Sequence, residues 1–246
     1  MYIALRYRAQ YYFVIVFQLL FFNIGTAKEL NVAVSQTLPP YVLPESNSGI
    51  EIDLFREAMA LKGYEIRPFY VPFARLSTSL KHEKTDVALT LQIDPNLTGV
   101  HYSQPYIFYR NVVVSLKKRQ LQIDKIEDLK QYSILAFQNA AIFLGEQFHN
   151  ITKTNRKYVE IANQQNQVHM LYLERVDAII MDEKIFHYFR QQEPEQYRKE
   201  AINIHPLFVP IFYHVGFKDE KLRDAYDNAL NTLKGNGRYQ EIINSY

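Results

Sequence analysis

No cysteine occurs in the 246 residues, so structural disulfides, thiolate zinc sites, a cysteine nucleophile and a lipid-bearing N-terminal cysteine are excluded together. Glycine is scarce, at 8 residues, and none of it forms a Gly-rich loop ahead of Lys-Ser/Thr, so a phosphate cradled by bare backbone is not expected. There is no Gly-x-Ser-x-Gly nucleophile elbow. The seven histidines, at 82, 101, 149, 169, 187, 205 and 214, include no pair four apart on a helical pattern and no His-Glu-x-x-His, so no metal site is expected. An excess of one charge is missing too. The 28 Lys and Arg face 26 Asp and Glu, and Arg6 and Arg8 account for the whole difference. A balanced chain carries no electrostatic footprint for nucleic acid or an anionic membrane.

What is present begins with a targeting pattern. Arg6 and Arg8 precede an apolar run from Tyr11 to Phe22, broken only by Gln18, and Gly25-Thr26-Ala27 supplies small residues for cleavage. Basic, apolar, then small is the order of a secretory signal peptide, and the run is shorter than the roughly 20 residues of a spanning helix. Residues 1–27 are therefore expected to be a signal peptide cleaved near Ala27. Export without disulfides points to a bacterial periplasm.

From Lys28 onward strand and helix patterns alternate, which predicts an α/β fold. Glu29–Val34, Tyr64–Tyr70, Val87–Thr90, Asn111–Leu116, Tyr132–Phe137, Lys157–Ile161 and Ala178–Met181 read as strands. Ile50, Leu54, Ala58 and Leu61 mark a helix stopped by Gly63, and Phe73–His82, Ile126–Leu129 and Ala140–Phe148 read as shorter helices. Val168, Leu171 and Tyr172 share the face of another. The clearest helix carries Leu222, Ala225, Tyr226, Ala229, Leu230 and Leu233, with Asp219 as N-cap and Gly235 as stop, before a last turn with Tyr239, Ile242, Ile243 and Tyr246. Two segments echo each other. Leu80 stands six residues before Asp86 and a short apolar strand, and Leu171 six before Asp177 and another, about 90 residues later. Two similar lobes would produce that echo. No low-complexity linker is present, so crossing strands must join them.

The remaining chemistry is recognition. In open α/β sheets ligands sit beyond the carboxyl ends of strands. Tyr41, Thr90 and Asp182 fall there, with Phe73, Arg75, Tyr106 and Tyr109 near by pattern. Together they offer ring faces, a guanidinium, a hydroxyl and a carboxylate, a mixture suited to a zwitterion or small organic anion. Each has a plainer reading: Tyr41 as turn packing, Arg75 as a solvated helix face, Asp182 as a helix cap, and Phe73 and Tyr106 as core. Asp53 and Asp86 read as turn or capping residues.

An ordered set of short motifs resembles a known family. Pro39-Pro40-Tyr41, Gly49-Ile-Glu-Ile-Asp53-Leu-Phe55, Thr85-Asp86-Val87-Ala88, Tyr102-Ser103-Gln-Pro105-Tyr106, Asp128-Leu129, Val176-Asp177-Ala178 through Asp182, and Val215-Gly216-Phe217 to Tyr246 follow the order seen in bacterial extracellular solute-binding proteins of family 3. The resemblance implies a two-lobed type II periplasmic binding protein, each lobe a central sheet flanked by helices. Lobe one would be 28–109 plus 214–246, and lobe two 110–213. It implies capture of a small polar solute, an amino acid or related organic anion, by hinge closure for the membrane permease of an ABC importer. Tyr41, Thr90 and Asp182 would bind ligand by family position. No catalysis, cofactor or nucleic-acid partner is implied, and a monomer is the family's default.

Two positions depart from the family. Amino-acid-binding members carry an arginine six residues before the aromatic of the Ser-x-Pro-Tyr stretch, and here that position is Asn96. Either Arg75 takes the carboxylate or the ligand is not an ordinary α-amino acid. Gln138 and Asn139, also candidate ligand residues, stand where relatives have Gly-Ser/Thr. Two other readings share the fold: a cyclohexadienyl- or arogenate-dehydratase-like enzyme, for which no placed general acid is evident, and a ligand-sensing module for a signalling receptor.

Overall fold

Leu30, Val32, Ala33 and Val34 are buried in β1 (Lys28–Ser35), the first element of a computed structural model that describes residues 28–246. The leader pattern, Arg6 to Ala27, lies outside the described residues. Beyond β1 come α1 (Ile50–Ala60), β2 (Tyr64–Val71), a 3-10 turn (Phe73–Arg75), α2 (Leu76–Ser79), β3 (Val87–Leu91), β4 (His101–Tyr102), β5 (Ile107–Tyr109) and β6 (Asn111–Leu116). The second half holds β7 (Ile134–Phe137), α3 (Ala140–Phe143), α4 (Glu146–Thr154), β8 (Tyr158–Ile161), α5 (Gln164–Tyr172) and β9 (Ala178–Asp182). After these come α6 (Glu183–Gln192), α7 (Glu195–Arg198), β10 (Ile202–His205), β11 (Ile211–Phe217), α8 (Glu220–Gly235) and α9 (Arg238–Asn244).

The strands form two sheets. One runs β2-β1-β3-β11-β4 with β5 paired to β11, and the other β10-β6-β9-β7-β8. Every residue of β3, β6 and β9 is buried, as expected of central strands covered by helices on both faces. In the first sheet Val32 and Val34 pack with Ile50, Leu54 and Phe55 of α1, while Ala33 and Ala88 face Leu76 and Leu80 on the opposite side. The second sheet sends Ile179 and Met181 toward Val168, Leu171 and Phe186, and Ala178 and Ile180 toward Leu129 and Phe148.

The sequence echo has a physical basis. Asp86 immediately precedes β3 and accepts the Asn31 peptide N–H of the neighbouring parallel strand at 2.8 Å, and Asp177 immediately precedes β9 and accepts that of Ser133 beside β7, also at 2.8 Å. The same carboxylate clamp pins strand register in both lobes. Asp219 caps α8 as expected, accepting from Lys221 N at 2.8 Å.

Some elements differ from their sequence reading. The helix expected over Ala140–Phe148 is two, because Gly145 adopts φ +94° between them. The helix at Phe73 is a 3-10 turn plus one α-turn, ending at Ser79. The strands β4, β5, β10 and β11 carry no clean alternation in the sequence. β11 nevertheless matters most for the architecture, since it pairs antiparallel with both β3 and β5. The chain passes from the first sheet to the second at Arg110, between β5 and β6, and returns between β10 and β11. Where it crosses, Tyr109 pairs with Ile211 and Ile107 with Tyr213.

Because β2, β1 and β3 are parallel, their carboxyl ends line one edge; β8, β7 and β9 do the same in the other sheet. The loop after β1 is fixed on the start of α1: Ile50 N donates to Pro40 O and Glu51 N to Tyr41 O, each at 3.1 Å. Gly49 permits this. It sits at φ +119°, and a Cβ there would fall against the Tyr41 carbonyl and 2.9 Å from Val42 Cα. Gly49→Ala should therefore lower unfolding free energy by about 2–3 kcal/mol in urea titration; an unchanged midpoint would show that this loop does not need the glycine.

Candidate functional site

Glu51 lies in the first turn of α1 and is completely buried. Among the described residues no cation pairs with it. Its carboxylate accepts instead from three hydroxyls: Thr90 Oγ1 at the end of β3, Tyr106 OH at 2.5 Å, and Tyr109 OH on β5. Burial pushes the Glu51 carboxyl up, and the three donors pull it partly back. Burial also holds the Tyr106 and Tyr109 phenols well above their ordinary range, so both remain neutral donors.

Thr90 needs this support. It is β-branched yet sits at φ +59°, a left-handed conformation that costs on the order of 1–3 kcal/mol. Its N–H donates to Tyr106 OH at 3.2 Å while its own hydroxyl reaches Glu51. Tyr106 is delivered by the Ser-x-Pro-Tyr stretch. Ser103 N donates to Val215 O, Val215 N returns a bond to Ser103 Oγ at 2.9 Å, and Gln104 N donates to Asp227 of α8 at 3.0 Å.

An aromatic ladder leads out of this network. Tyr41 stacks on Tyr109 with centroids 4.2 Å apart, and Tyr109 meets Tyr213 of β11 at 4.7 Å. Tyr213 meets Phe73 edge-on at 6.5 Å, and Phe73 meets Phe143 of α3 at the same distance. Pairs of this kind contribute about 0.5–1.5 kcal/mol beyond simple burial. The ladder starts on the first sheet's strand ends and finishes on the second lobe.

A second bridge joins the two edges. Tyr41 OH donates to Asp182 Oδ1 at 2.9 Å. Asp182 closes β9 and caps α6, accepting from Lys184 N at 2.9 Å and Ile185 N at 3.2 Å, and its other oxygen accepts from Arg110 N at 2.8 Å. Asp182 thus caps a helix, as one reading of the sequence expected, and with the same carboxylate meets Tyr41 of the other edge. Burial raises its carboxyl from 3.8 to about 6, against the pull of those four donors. The Arg110 guanidinium is paired with Glu183.

Of the candidates read from sequence, Tyr41, Thr90, Tyr106 and Asp182 join one connected network. Phe73 stands at the rim, 40% exposed. Arg75 is exposed on the turn after β2, with no ion pair among the described residues. Gln138 and Asn139 are exposed after β7, and their side chains make no hydrogen bond among the described residues. Asn96 is exposed and bonded to Asp94 at 2.9 Å. Sequence reasoning missed Glu51, Tyr213 and Arg110, which contact this network directly. Glu51 had a signal: its i+4 and i+8 neighbours, Phe55 and Met59, are apolar, so it shares a buried helix face.

The Asp182 carboxyl yields a pH test. The folded protein holds this proton more tightly than the unfolded chain, so the stability contribution is full below about pH 4. It is lost as pH rises through about 6, by up to about 3 kcal/mol. Asp182→Asn should flatten that part of the stability–pH curve in urea unfolding; parallel curves for variant and parent would refute the assignment.

Known proteins resemble this chain over nearly its whole length. An "Arginine-binding periplasmic protein" of Mannheimia haemolytica is 25% identical over 240 residues, covering 93% of this chain and 95% of that one. Among solved structures, an amino acid ABC transporter substrate-binding protein from Streptococcus pneumoniae bound to L-arginine is similar at TM-score 0.65. It is 20% identical, with 90% of this chain and 95% of that one covered. A histidine kinase sensor domain with similarity to periplasmic binding proteins reaches TM-score 0.69 at 13% identity, covering 90% and 96%. These structural likenesses establish the two-lobed type II periplasmic binding fold. No helix among the described residues is long and apolar enough to cross a membrane. The profile of one family spans residues 30–246, and the chain belongs to it: bacterial extracellular solute-binding proteins, family 3.

Proposed function

We propose that the chain captures a small polar solute of about amino-acid size between lobes 28–109 plus 214–246 and 110–213, in the periplasm, and delivers it to the membrane permease of an ABC importer. Tyr41, Phe73, Thr90, Asp182 and, at the rim, Arg75 form the candidate contact set, with Gln138 and Asn139 on the second lobe; Tyr106 acts from behind through Glu51. The observation that carries this reading is the meeting of two strand-end edges, one bringing Tyr41 and the other Asp182, beside stacked rings. A carboxylate sheltered from water by aromatic faces attracts a polar partner more strongly than one in bulk solvent. Opening would proceed at the two crossing segments, around Arg110 and between His205 and Ile211, with the lobes moving as bodies. The arginine named for two of the relatives supports a nitrogen-rich solute.

Thermal-shift screening against amino acids, amines and organic acids tests the reading. A true solute at about 100 times its Kd should stabilise by about 2.7 kcal/mol; silence across all three classes would refute solute binding. For whichever compound responds, Phe73→Ala should weaken binding about tenfold, measured as Kd on the folded variant so that the stability lost with its two ring pairs does not enter. Unaltered affinity would remove Phe73 from the site.

A further inference from the structure

On the reading that the cleft holds a solute, we infer that the solute is a cation that brings no carboxylate to the second lobe, and that Glu160 is the residue that enforces this. After β7 the chain turns at Asn139, and the peptide N–H groups of Asn139 and Ala141 converge. Both are taken. Asn139 N donates to Glu160 Oε2 at 2.7 Å and Ala141 N to Glu160 Oε1 at 3.0 Å, with Tyr158 OH on the latter oxygen at 2.6 Å. Since β7 is parallel to both β8 and β9, Glu160 lies on the same strand-end edge as Asp182. Converging N–H groups are what a lobe can offer an anion. Here a tethered carboxylate already holds them. An incoming carboxylate would exchange like for like and gain nothing, while meeting the charge of the one it displaced.

The other groups on that edge point the same way. Arg110 is committed to Glu183, and Lys184 Nζ to Ile243 O at 3.3 Å, so neither cation is free for an anion. What remains is acceptor chemistry, with Asp182 Oδ2 receiving a single bond from Arg110 N. Facing that edge is Tyr41, whose hydroxyl already donates to Asp182 Oδ1, with the Tyr109 and Tyr213 rings packed behind it. The position where the resembling chains carry an arginine is the exposed Asn96, turned to Asp94. Of the two branches left open by the sequence, carboxylate capture by Arg75 or a ligand other than an α-amino acid, this arrangement selects the second.

Matched pairs that differ only by a carboxylate provide the test: L-arginine with agmatine, L-lysine with cadaverine, and L-ornithine with putrescine, titrated calorimetrically into the whole exported protein. In at least one pair the decarboxylated member should bind about tenfold or more tightly than its amino acid. Glu160→Ala, which frees the two N–H groups, should shift that ratio toward the amino acid by about tenfold. Glu160→Gln, which keeps the hydrogen-bond acceptor and removes the charge, should shift it the same way if the alanine variant folds poorly. An amino acid that outbinds its amine in every responding pair overturns the inference, as does a ratio untouched by both Glu160 variants. Stabilisation by an organic acid with none by the six amines and amino acids overturns it too, yet leaves solute binding standing; silence in the wider screen removes both.

Discussion

The buried carboxylate of Glu51 is the constraint on which the cleft depends. Removing a carboxylate from water without a cation costs several kcal/mol unless hydrogen bonds replace its hydration. Three hydroxyls do so here, and they come from β3, from the stretch before β5 and from β5 itself. A single side chain therefore draws the floor of the first lobe and the crossing strand to one point. The left-handed Thr90 is tolerable because both its N–H and its hydroxyl are tied into that point. Tyr109, fixed by the same carboxylate, carries Tyr41 on one face and neighbours Tyr213 on the other, and so transmits the arrangement to the lobe boundary. A polar network that is fully satisfied rigidifies its surroundings, and losing any member leaves the others unpaired in low dielectric.

The two lobes use one construction twice. In each, an aspartate just before a buried strand clamps the parallel neighbour through its peptide N–H, and the carboxyl ends of three parallel strands form the working edge. The edges are chemically unequal. The first presents hydroxyls and rings, the second carboxylates whose partners are mostly peptide N–H groups. On the proposed reading, the first lobe would give the solute an apolar wall and neutral polar contacts and the second the charge.

Much of the fold was legible because buried central strands and amphipathic helices write their periods directly into the chain. The β3 and β9 runs, the α8 stripe and its Asp219 cap follow from spacing alone. The strands around the crossing were not legible, since Ile211–Phe217 mixes rings, histidine and glycine and is organised by Ser103 and Ile107 from distant sequence. The same contrast holds in the site. Tyr41, Thr90 and Asp182 could be named from their place after strands. Glu160 could not, because an acid on an edge strand ordinarily faces water and only the folded chain brings peptide N–H groups to it; Glu51 could be placed on a buried helix face by Phe55 and Met59, but the hydroxyls that meet it come from distant sequence. Arg75 shows the reverse: a plausible anion ligand in sequence, and an exposed side chain on a short turn in the fold.

The most direct measurement is a crystal structure of the protein with the solute that stabilises it. Density for that solute is expected between the Tyr41 ring and the Asp182 carboxylate, with the two strand-end edges contacting it from opposite sides. Density confined to an outer face of either lobe, with the Tyr41–Asp182 cleft unchanged, would contradict solute capture between the lobes.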